Sequence, residues 1–428
     1  MEKRIKPIDS FKGEIAVPGD KSISHRAVFI GSISSGVTEA QNFLEAEDCL
    51  STVSAFRNMG IEIAIRDKKI FIKGQGLKGL KKPSSKLYIG NSGTTMRILP
   101  GILAGQDFSV TLTGDQSLSK RPMQRIIDPL KKMGVDISSG SAGGETPPLM
   151  VKGGEVKPIK YSTRVASAQV KSCIIFAGLY AGGTTSVTEP YVSRDHTERL
   201  LEFFGAKISR DSFTVSVSGS PELSGQKFFV PGDISSAAFF IAASCILSGS
   251  EITIKDVGLN DTRLGFLRAL SRMGASISIE NRKDQVEPYG DVRVKYAPLK
   301  ATVIEKAEIP FLIDEIPILA VIASRAEGRT VIRGINELRI KETDRVFSVV
   351  ENLKSMGVDI ISEGDDMVIN GGNRKFKSAK LDSFKDHRTA MSMSIAALCA
   401  DGECLINDTE CINTSFPSFY TLVDSLKQ

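Results

Sequence analysis

Cationic and hydroxyl side chains open a short apolar segment near the N-terminus. Lys21, Ser22 and Arg26 begin the segment KSISHRAVFIGSISSG, whose apolar residues indicate a helix. A helix start exposes unpaired backbone N–H groups and a partial positive charge, so a lysine, a hydroxyl and an arginine one turn later suit a phosphate or carboxylate. Cations are structurally unfavourable at that position, which favours an anion-binding role for Lys21.

A run of small polar residues, Asn91 to Thr95, precedes a second apolar helix. Gly93 within it lets the backbone approach an anion closely. The run lacks the GxxxxGK[ST] pattern, so a nucleotide-binding P-loop is not indicated. An ordinary helix N-cap is the alternative interpretation.

Further basic residues lie in short loops. The turn SLSKRPMQR carries Lys120, Arg121 and Arg125, and its alternative interpretation is a solvated basic turn. Ser167 and Gln169 begin a third apolar helix, and Arg194, Asp195 and His196 follow a Pro-Tyr turn. None of these is diagnostic alone.

The densest charged segment is ELRIKETDR. If a helix begins there, Lys341 and Arg345 share one face at i,i+4 and Glu342 lies beside them. A surface ion-pair ladder would have the same pattern.

Two more helix starts carry ionisable groups. Asp314 and Glu315 interrupt the apolar run IPFLIDEIPILAVIA, where a carboxylate is either exposed at a helix start or held for proton transfer. Asp386, His387 and Arg388 open another apolar helix. If all these helix starts face one cleft, their dipoles and cations suit two highly anionic ligands.

The elements that must position these residues form six internal repeats. Apolar helical segments end at Gly36, Gly105, Gly182, Gly249, Gly328 and Gly402, spaced 67 to 79 residues apart. After each of the first five, a second helix ends in Gly and an alternating strand follows, as in FRNMGIEIAI. Each repeat is therefore an α/β module with two helices. The chain stops where the sixth module needs its strand, so we expect the N-terminal strands IKPIDSFKGEIAV to complete it and to bring the termini together.

The tripeptide PGD marks two points where the chain passes between lobes. It occurs at Pro18–Asp20 and Pro231–Asp233, each time before a repeat helix. We expect one lobe over residues 20–230 and a second over residues 1–19 plus 231–428, with three repeats each and hinge crossovers at the two tripeptides.

Composition excludes several classes of protein. Apolar residues make up 41% and charged residues 25% of the 428, which is typical of globular domains. A net charge of +5 is too small to indicate nucleic-acid binding. The six Cys and three His show no metal-ligand spacing. The N-terminus lacks an apolar signal region, and no stretch is long enough to span a membrane, so we expect a cytoplasmic protein. We also expect a monomer.

Six ordered blocks resemble a known family. GDKSISHRA, GNSGTTMR, SLSKRPMQR, ASAQVKS, ELRIKETDR and DHR run from residue 19 to 388 and are similar to those of the 3-phosphoshikimate 1-carboxyvinyltransferase (EPSP synthase) family. The motifs RPM, ASAQVK and RDHTE resemble those of the branch that includes glyphosate-tolerant enzymes. The resemblance implies an α/β fold, a two-lobed inverted βα barrel of six βαβαββ repeats.

The same resemblance implies a reaction between shikimate-3-phosphate and phosphoenolpyruvate that releases phosphate and uses no metal or organic cofactor. Residues that resemble the shikimate-3-phosphate contacts are Lys21, Ser22, Arg26, Ser167, Ala168, Gln169, Arg194, Asp314 and Lys341. Those that resemble the phosphoenolpyruvate contacts are Lys21, Asn91, Gly93, Arg121, Gln169, Arg345 and Arg388.

The implied chemistry assigns roles to three side chains. The 5-hydroxyl must lose a proton while the methylene carbon gains one, and two carboxyl groups in different environments can divide that work. Asp314 is the candidate base, and Glu342 with Lys21 are the candidates for protonating the methylene. Gly93 in place of Ala implies a glyphosate-sensitive enzyme.

One departure and two alternatives accompany this assignment. The family often has Lys before the TSFP turn, where this chain has Asn413. A sister enzyme transfers the same group to UDP-N-acetylglucosamine, but it usually carries a reactive Cys in the loop that here reads SLSKRPMQR. A non-catalytic repeat protein that binds polyanions would explain the cations, although not Asp314 and Glu342 among them.

Overall fold

The computed structural model describes residues 2–428 and divides the chain into two compact units. The continuous unit spans Gly19–Val230. The split unit joins the chain up to Pro18 to Pro231–Gln428.

The helices and strands follow one another in the same pattern through both units. The split unit begins with β1 (Lys3–Ile5) and β2 (Lys12–Ala16). The continuous unit contains α1 (Lys21–Ile33), β3 (Ser35–Gln41), α2 (Glu47–Asn58), β4 (Glu62–Arg66), β5 (Lys69–Gln75), β6 (Leu87–Tyr88), α3 (Gly93–Leu103), β7 (Ser109–Thr113), α4 (Gln124–Lys132), β8 (Asp136–Ser139), β9 (Leu149–Lys152), β10 (Lys160–Ser162), α5 (Ala168–Gly178), β11 (Thr184–Thr188), α6 (His196–Phe203), β12 (Ile208–Asp211), β13 (Thr214–Ser218) and β14 (Lys227–Phe229). The split unit continues with α7 (Ile234–Ile246), β15 (Glu251–Gly258), α8 (Gly265–Arg272), β16 (Ser276–Lys283), β17 (Tyr289–Lys295), β18 (Val303–Ile304), α9 (Ile316–Arg325), β19 (Gly328–Ile332), α10 (Arg345–Ser355), β20 (Asp359–Glu363), β21 (Asp366–Gly371), β22 (Lys380–Asp382), α11 (His387–Leu398), β23 (Cys404–Asn407) and α12 (Phe419–Leu426). Short 3₁₀ helices lie at Leu118–Lys120, Asp261–Arg263, Lys306–Phe311, Ile313–Glu315, Asn336–Leu338 and Thr409–Thr414.

Each repeat folds as a βαβαββ module with one small sheet. In β10-β11-β13-β12 the first two strands are parallel, with Lys160 opposite Ser186, and the other neighbours are antiparallel. The strand orders β14-β3-β5-β4, β6-β7-β9-β8, β16-β17-β15-β2 and β18-β19-β21-β20 repeat this pattern, and β22-β23-β1 is its three-stranded form. Within residues 2–428 each unit therefore contains three modules.

Glycine ends the second helix of five modules because the backbone there is left-handed. Gly60, Gly134, Gly205, Gly274 and Gly357 have φ between +81° and +112°. Only glycine adopts this conformation at little cost, and it directs the chain from the helix into the next strand. This geometry explains the helix–Gly–strand signature of the sequence.

The prediction that both N-terminal strands complete the last module is half right. β1 pairs antiparallel with β23 of that module, and the backbone N–H of Gln428 donates to the carbonyl of Ser10 at 3.1 Å, so the two ends of the split unit meet. β2 instead lies parallel to β15, while β14 lies parallel to β3. In a βαβ unit the first strand lies parallel to the strand that follows the helix. Here β2, which precedes α1 in the chain, lies beside the strand that follows α7, and β14, which precedes α7, lies beside the strand that follows α1.

The first helices of the modules form the cores. In the split unit α7, α9 and α11 pack on one another, and in the continuous unit α3 packs on α1 and α5. All of α7 is buried. A helix that is buried on every side has no solvent-facing stripe for charged groups, and the charged residues of α1, α5 and α11 lie in their first two turns. None of the helices in residues 2–428 combines the length and apolarity needed to cross a membrane.

Candidate active site

The start of α1 carries the first predicted anion site. Asp20 caps the helix by accepting from the backbone N–H of Ile23 at 2.9 Å, and Lys21 is the first helical residue. The Nζ of Lys21 lies 3.0 Å from Oδ2 of Asp48, in the first turn of α2. Both side chains are largely buried, so the position of the ammonium group is set by a carboxylate that the sequence interpretation missed.

Arg26 lies one turn further along α1 and is only 3% exposed. Its Nε donates to Oγ1 of Thr197 at 2.6 Å, and its Nη2 donates to Oγ of Ser172 at 3.1 Å. Its Nη1 donates to the carbonyl of Ser22 at 2.9 Å. Arg26 therefore connects α1 to α5 and α6, and it also holds the backbone of the predicted contact Ser22.

Three predicted residues meet at the start of α3. Ser92 caps the helix, and α3 begins at Gly93. A Cβ on Gly93 would lie 2.9 Å from Nη1 of Arg121. The Nη2 of Arg121 donates to Oδ1 of Asn91 at 2.6 Å, and Nδ2 of Asn91 donates to Asp115 at 2.7 Å. The structure thus brings Asn91, Gly93 and Arg121 together, and Asp115 fixes the orientation of the Asn91 amide.

The start of α5 is tied to the start of α3. Ser167 caps α5, and Ala168 is its first residue. Gln169 donates from Nε2 to Oγ1 of Thr94 at 3.1 Å, and its Oε1 accepts from Nη1 of Arg97 at 2.9 Å. The half-buried Arg194 lies two residues before α6.

A buried hydrogen-bond chain fixes the starts of α1, α2 and α3 relative to one another. Nδ1 of His25 lies 2.7 Å from Oγ1 of Thr52, which lies 2.6 Å from Oγ1 of Thr95, which in turn lies 2.7 Å from Oγ of Ser92. Burial, reinforced by the charges of Lys21 and Arg26, lowers the pKa of His25 well below its ordinary value of 6.5. The imidazole is therefore neutral near pH 7.

In the split unit one guanidinium binds three carboxylates. Arg345, the first residue of α10, is 2% exposed. It lies 2.8 Å from Asp386, 3.1 Å from Asp314 and 2.6 Å from Glu342. Burial works against its charge, but the charges of Asp386, Glu342 and Asp314 outweigh burial and raise the pKa of Arg345. The two predicted catalytic carboxylates of this unit are thus held by the same side chain.

Arg388 contacts Asp314 from the start of α11. Its Nη1 donates to the carbonyl of Asp314 at 3.1 Å, and its Nη2 lies 3.6 Å from Oδ2 of the same residue. Neighbouring Glu315 is buried and lies 3.8 Å from Arg388. Glu315 also accepts a hydrogen bond from Ser235. Neither carboxylate is exposed at a helix start, and both face cations.

An α-helix begins only at the last residue of ELRIKETDR, so Lys341 and Arg345 do not share a helix face. Helix α10 begins at Arg345, because Asp344 caps it by accepting from the backbone N–H of Phe347. Lys341 and Glu342 lie in the preceding loop, so Glu342 reaches Arg345 at i,i+3 from outside the helix. Asn413 lies exposed in the 3₁₀ helix Thr409–Thr414.

The sequence interpretation missed two carboxylates and one ion pair that hold predicted site residues. Asp48 holds the ammonium group of Lys21 and Asp115 holds the amide of Asn91, while the ion pair joins Arg345 to Asp386, a residue already placed at a helix start. A charged residue beside an apolar helix start was the available signal, and DHR contained it for Asp386. In each unit the arrangement presents fixed cations and helix N-termini to anionic groups. Residues 2–428 contain no cluster of His, Cys, Asp and Glu suited to a metal ion.

Comparisons with known proteins agree with this chemistry. A family model described as EPSP synthase (3-phosphoshikimate 1-carboxyvinyltransferase) matches residues 5–422. A protein of Citrifermentans bemidjiense named 3-phosphoshikimate 1-carboxyvinyltransferase is 49% identical over 425 residues, covering 99% of both chains. One of the same name from Desulforamulus reducens is 50% identical over 421 residues, covering 98% of both.

Solved structures share the fold. An EPSP synthase from Acinetobacter baumannii superposes with a TM-score of 0.89 at 44% identity, covering 100% of this chain and 98% of that one. The enolpyruvyl transferase NikO from Streptomyces tendae, at 16% identity, has a TM-score of 0.79 over 99% of this chain and 96% of its own, and it shows the fold alone. The predicted α/β fold class is confirmed.

Proposed function

Because the chain belongs to the EPSP synthase (3-phosphoshikimate 1-carboxyvinyltransferase) family, we propose that the residues gathered at its helix starts perform that family's reaction. The enzyme transfers the carboxyvinyl group of phosphoenolpyruvate to the 5-hydroxyl of shikimate-3-phosphate and releases phosphate, a step of aromatic amino acid biosynthesis. The transfer to UDP-N-acetylglucosamine is not favoured, since the turn SLSKRPMQR contains no Cys.

We assign shikimate-3-phosphate mainly to the continuous unit. Its phosphate and hydroxyls bind Lys21, Ser22, Arg26, Ser167, Ala168, Gln169 and Arg194, with Asp314 and Lys341 of the split unit completing the set. Support comes from the contacts that hold this set, above all the bonds of Arg26 to Ser22 and Thr197. Such fixed donors lose little freedom when an anion binds.

Phosphoenolpyruvate carries a phosphate and a carboxylate, which suit guanidinium groups. We assign them to Arg121, Arg345 and Arg388, with Lys21, Asn91, Gly93 and Gln169 as further contacts. Guanidinium binds such groups by two parallel hydrogen bonds, which an ammonium cannot do. Because Gly93 has no side chain, the guanidinium of Arg121 can lie directly beside it.

The observation that carries the mechanism is the pair of carboxylates on Arg345. Asp314 and Glu342 lie 3.1 Å and 2.6 Å from its two terminal nitrogens, so both have fixed positions and different surroundings. Asp314 accepts the proton of the 5-hydroxyl as that oxygen bonds to the enol carbon. Glu342 or Lys21 donates a proton to the methylene carbon, which gives a tetrahedral intermediate. Loss of a methyl proton and of phosphate then restores the double bond.

Further properties follow from the same proposal. We propose a cytoplasmic monomer that acts on small molecules and binds neither nucleic acid nor membrane, with hinges near Pro18–Asp20 and Pro231–Asp233. The reaction as written needs no metal or organic cofactor.

A coupled assay of phosphate release tests the function. The purified protein is incubated with phosphoenolpyruvate and either shikimate-3-phosphate or UDP-N-acetylglucosamine, with each substrate alone as the control. Release with shikimate-3-phosphate and not with UDP-N-acetylglucosamine is expected. No release with shikimate-3-phosphate would refute the proposal, and release with UDP-N-acetylglucosamine would identify the sister activity.

A further inference from the structure

Two charged motif residues have no role in the proposed reaction. Lys171 stands in the block ASAQVKS, and Glu198 follows Arg194 in RDHTE. The structure places Nζ of Lys171 2.8 Å from Oε1 of Glu198, and both side chains are 3% exposed or less. An ion pair taken this far from water costs solvation energy, so its position in the fold needs an explanation.

A third buried residue completes the cluster. Oε2 of Glu189 lies 2.9 Å from Nζ of Lys171, and the carbonyl of Ser193 accepts from the same nitrogen at 3.4 Å. Burial alone would lower the pKa of Lys171, but the charges of Glu198 and Glu189 raise it. Lys171, Glu189 and Glu198 therefore form a charged group, called the buried triad.

Glu189 connects the buried triad to two loops that carry predicted shikimate-3-phosphate contacts. Its Oε1 accepts from the backbone N–H of Ser167 at 2.8 Å, and its Oε2 accepts from Oγ of Ser193 at 2.7 Å. Ser167 is the cap of α5, and Ser193 directly precedes Arg194. One carboxylate thus ties the loop before α5 to the loop before α6.

Arg26 lies against the same two helices. It donates to Ser172 and Thr197, the chain neighbours of Lys171 and Glu198, and those two hydroxyls lie 2.7 Å apart. Arg26 and Lys171 carry two positive charges, and Glu189 and Glu198 carry two negative charges. These four residues together are therefore neutral. This balance favours a fixed arrangement in which moving one charge disturbs the others.

We propose that the buried triad consists of positioning residues for shikimate-3-phosphate. It holds Ser167, Arg194 and Arg26 in the geometry that the phosphate and hydroxyls of the substrate require, and it does not itself touch the substrate. Rigid support of this kind sets affinity, because a displaced donor must be ordered again when the substrate binds. The inference rests on the proposed function.

Two variants test the proposal. Glu189→Gln keeps the volume and the Lys171–Glu198 pair but changes the bonds to Ser167 and Ser193. The charge-free combination Lys171→Met, Glu189→Gln and Glu198→Gln removes all three charges at nearly constant volume, and neutral replacements of buried ion clusters commonly remain folded. Titration calorimetry gives the Kd of shikimate-3-phosphate, initial rates give kcat and the KM of phosphoenolpyruvate, and thermal unfolding gives Tm.

The expected result separates the two substrates. Both variants should weaken shikimate-3-phosphate binding roughly 10- to 100-fold, while kcat and the KM of phosphoenolpyruvate, measured with shikimate-3-phosphate saturating, stay within about threefold. The matched control is Lys255→Met, which removes the same charge from an ion pair with Asp291 in the split unit and should leave all these constants unchanged.

Two results would overturn the proposal. One is a Kd within about twofold of wild type in both variants, well below the loss that a displaced donor causes. The other is a parallel loss of Tm, kcat and affinity for both substrates, which a merely structural role produces. If wild type itself neither binds shikimate-3-phosphate nor releases phosphate, the proposed function is refuted. A damaged triad gives a different result, because wild type and the Lys255→Met control then keep both properties.

Discussion

Arg345 and Asp386 connect the starts of two helices. Nε of Arg345 lies 2.8 Å from Oδ2 of Asp386, while Oδ1 of Asp386 accepts from the backbone N–H groups of Arg388 and Thr389. One buried carboxylate is therefore both the counter-ion of the first residue of α10 and the cap of α11. The position of Arg345 depends on where α11 begins.

Replacing Asp386 separates these two roles. Asp386→Asn keeps an oxygen that can cap α11 but loses the charge, whereas Asp386→Ala loses both. We expect Asp386→Ala to be the more destabilising by about 1 kcal/mol, the usual value of a helix cap. Urea denaturation measures the difference, and equal stability of the two variants would show that the cap contributes nothing.

Asp314 is the expected base for the 5-hydroxyl. Asp314→Ala should lower kcat by roughly 10²- to 10⁴-fold, the usual contribution of a general base, while shikimate-3-phosphate still binds. Phosphate release and titration calorimetry measure the two effects. Near-normal turnover would remove Asp314 from the mechanism, and Glu315→Gln, one position away, is the control for general disturbance of this segment.

Gly93 is expected to make the enzyme sensitive to glyphosate. The Cβ of Gly93→Ala would lie 2.9 Å from Nη1 of Arg121, whose Nη2 is bonded to Asn91, so the guanidinium must shift. Inhibition curves should show that wild type is inhibited and that Gly93→Ala tolerates more glyphosate and has a higher KM for phosphoenolpyruvate. A flat wild-type curve at concentrations that inhibit a sensitive control enzyme would contradict this.

His25 should make stability depend on pH. Its pKa is lowered in the folded protein, so between pH 6.5 and that lower value the unfolded chain binds a proton that the folded protein does not. The free energy of unfolding must therefore fall as pH falls, by up to about 1.4 kcal/mol per pH unit from this group. Urea denaturation from pH 7.5 to 5 should show a shallower decline for His25→Gln, and parallel declines would exclude His25 as the cause.

The periodic features of the fold were predictable from the sequence. The glycines that end the helices recur because each module turns at the same point, so one left-handed residue such as Gly60 marks the turn. The starts of α1, α3 and α11 were predictable because a capping residue directly precedes each apolar segment, namely Asp20, Ser92 and Asp386.

Pairings between distant segments were not predictable. Nothing in the residues of β2 shows that its partner is β15 rather than a strand of the last module, because strands pair through backbone hydrogen bonds, which nearly every residue can form. The pairing of Arg345 with Asp386 joins positions 41 residues apart, and each reads locally as a helix-start charge. The sequence analysis made no prediction for Lys171 beyond its place in the block ASAQVKS, although its helix is otherwise almost wholly apolar.

The parallel pairing of β2 with β15 has a consequence for synthesis on the ribosome. Residues 12–16 are made before the continuous unit, but their partner, Glu251–Gly258, is made only after it. In contrast, β14, which pairs with β3, lies within the continuous unit. All strands of that unit have therefore been made once residue 230 has been made. Since domains fold as units while the chain lengthens, β2 reaches its place only after the continuous unit has been made.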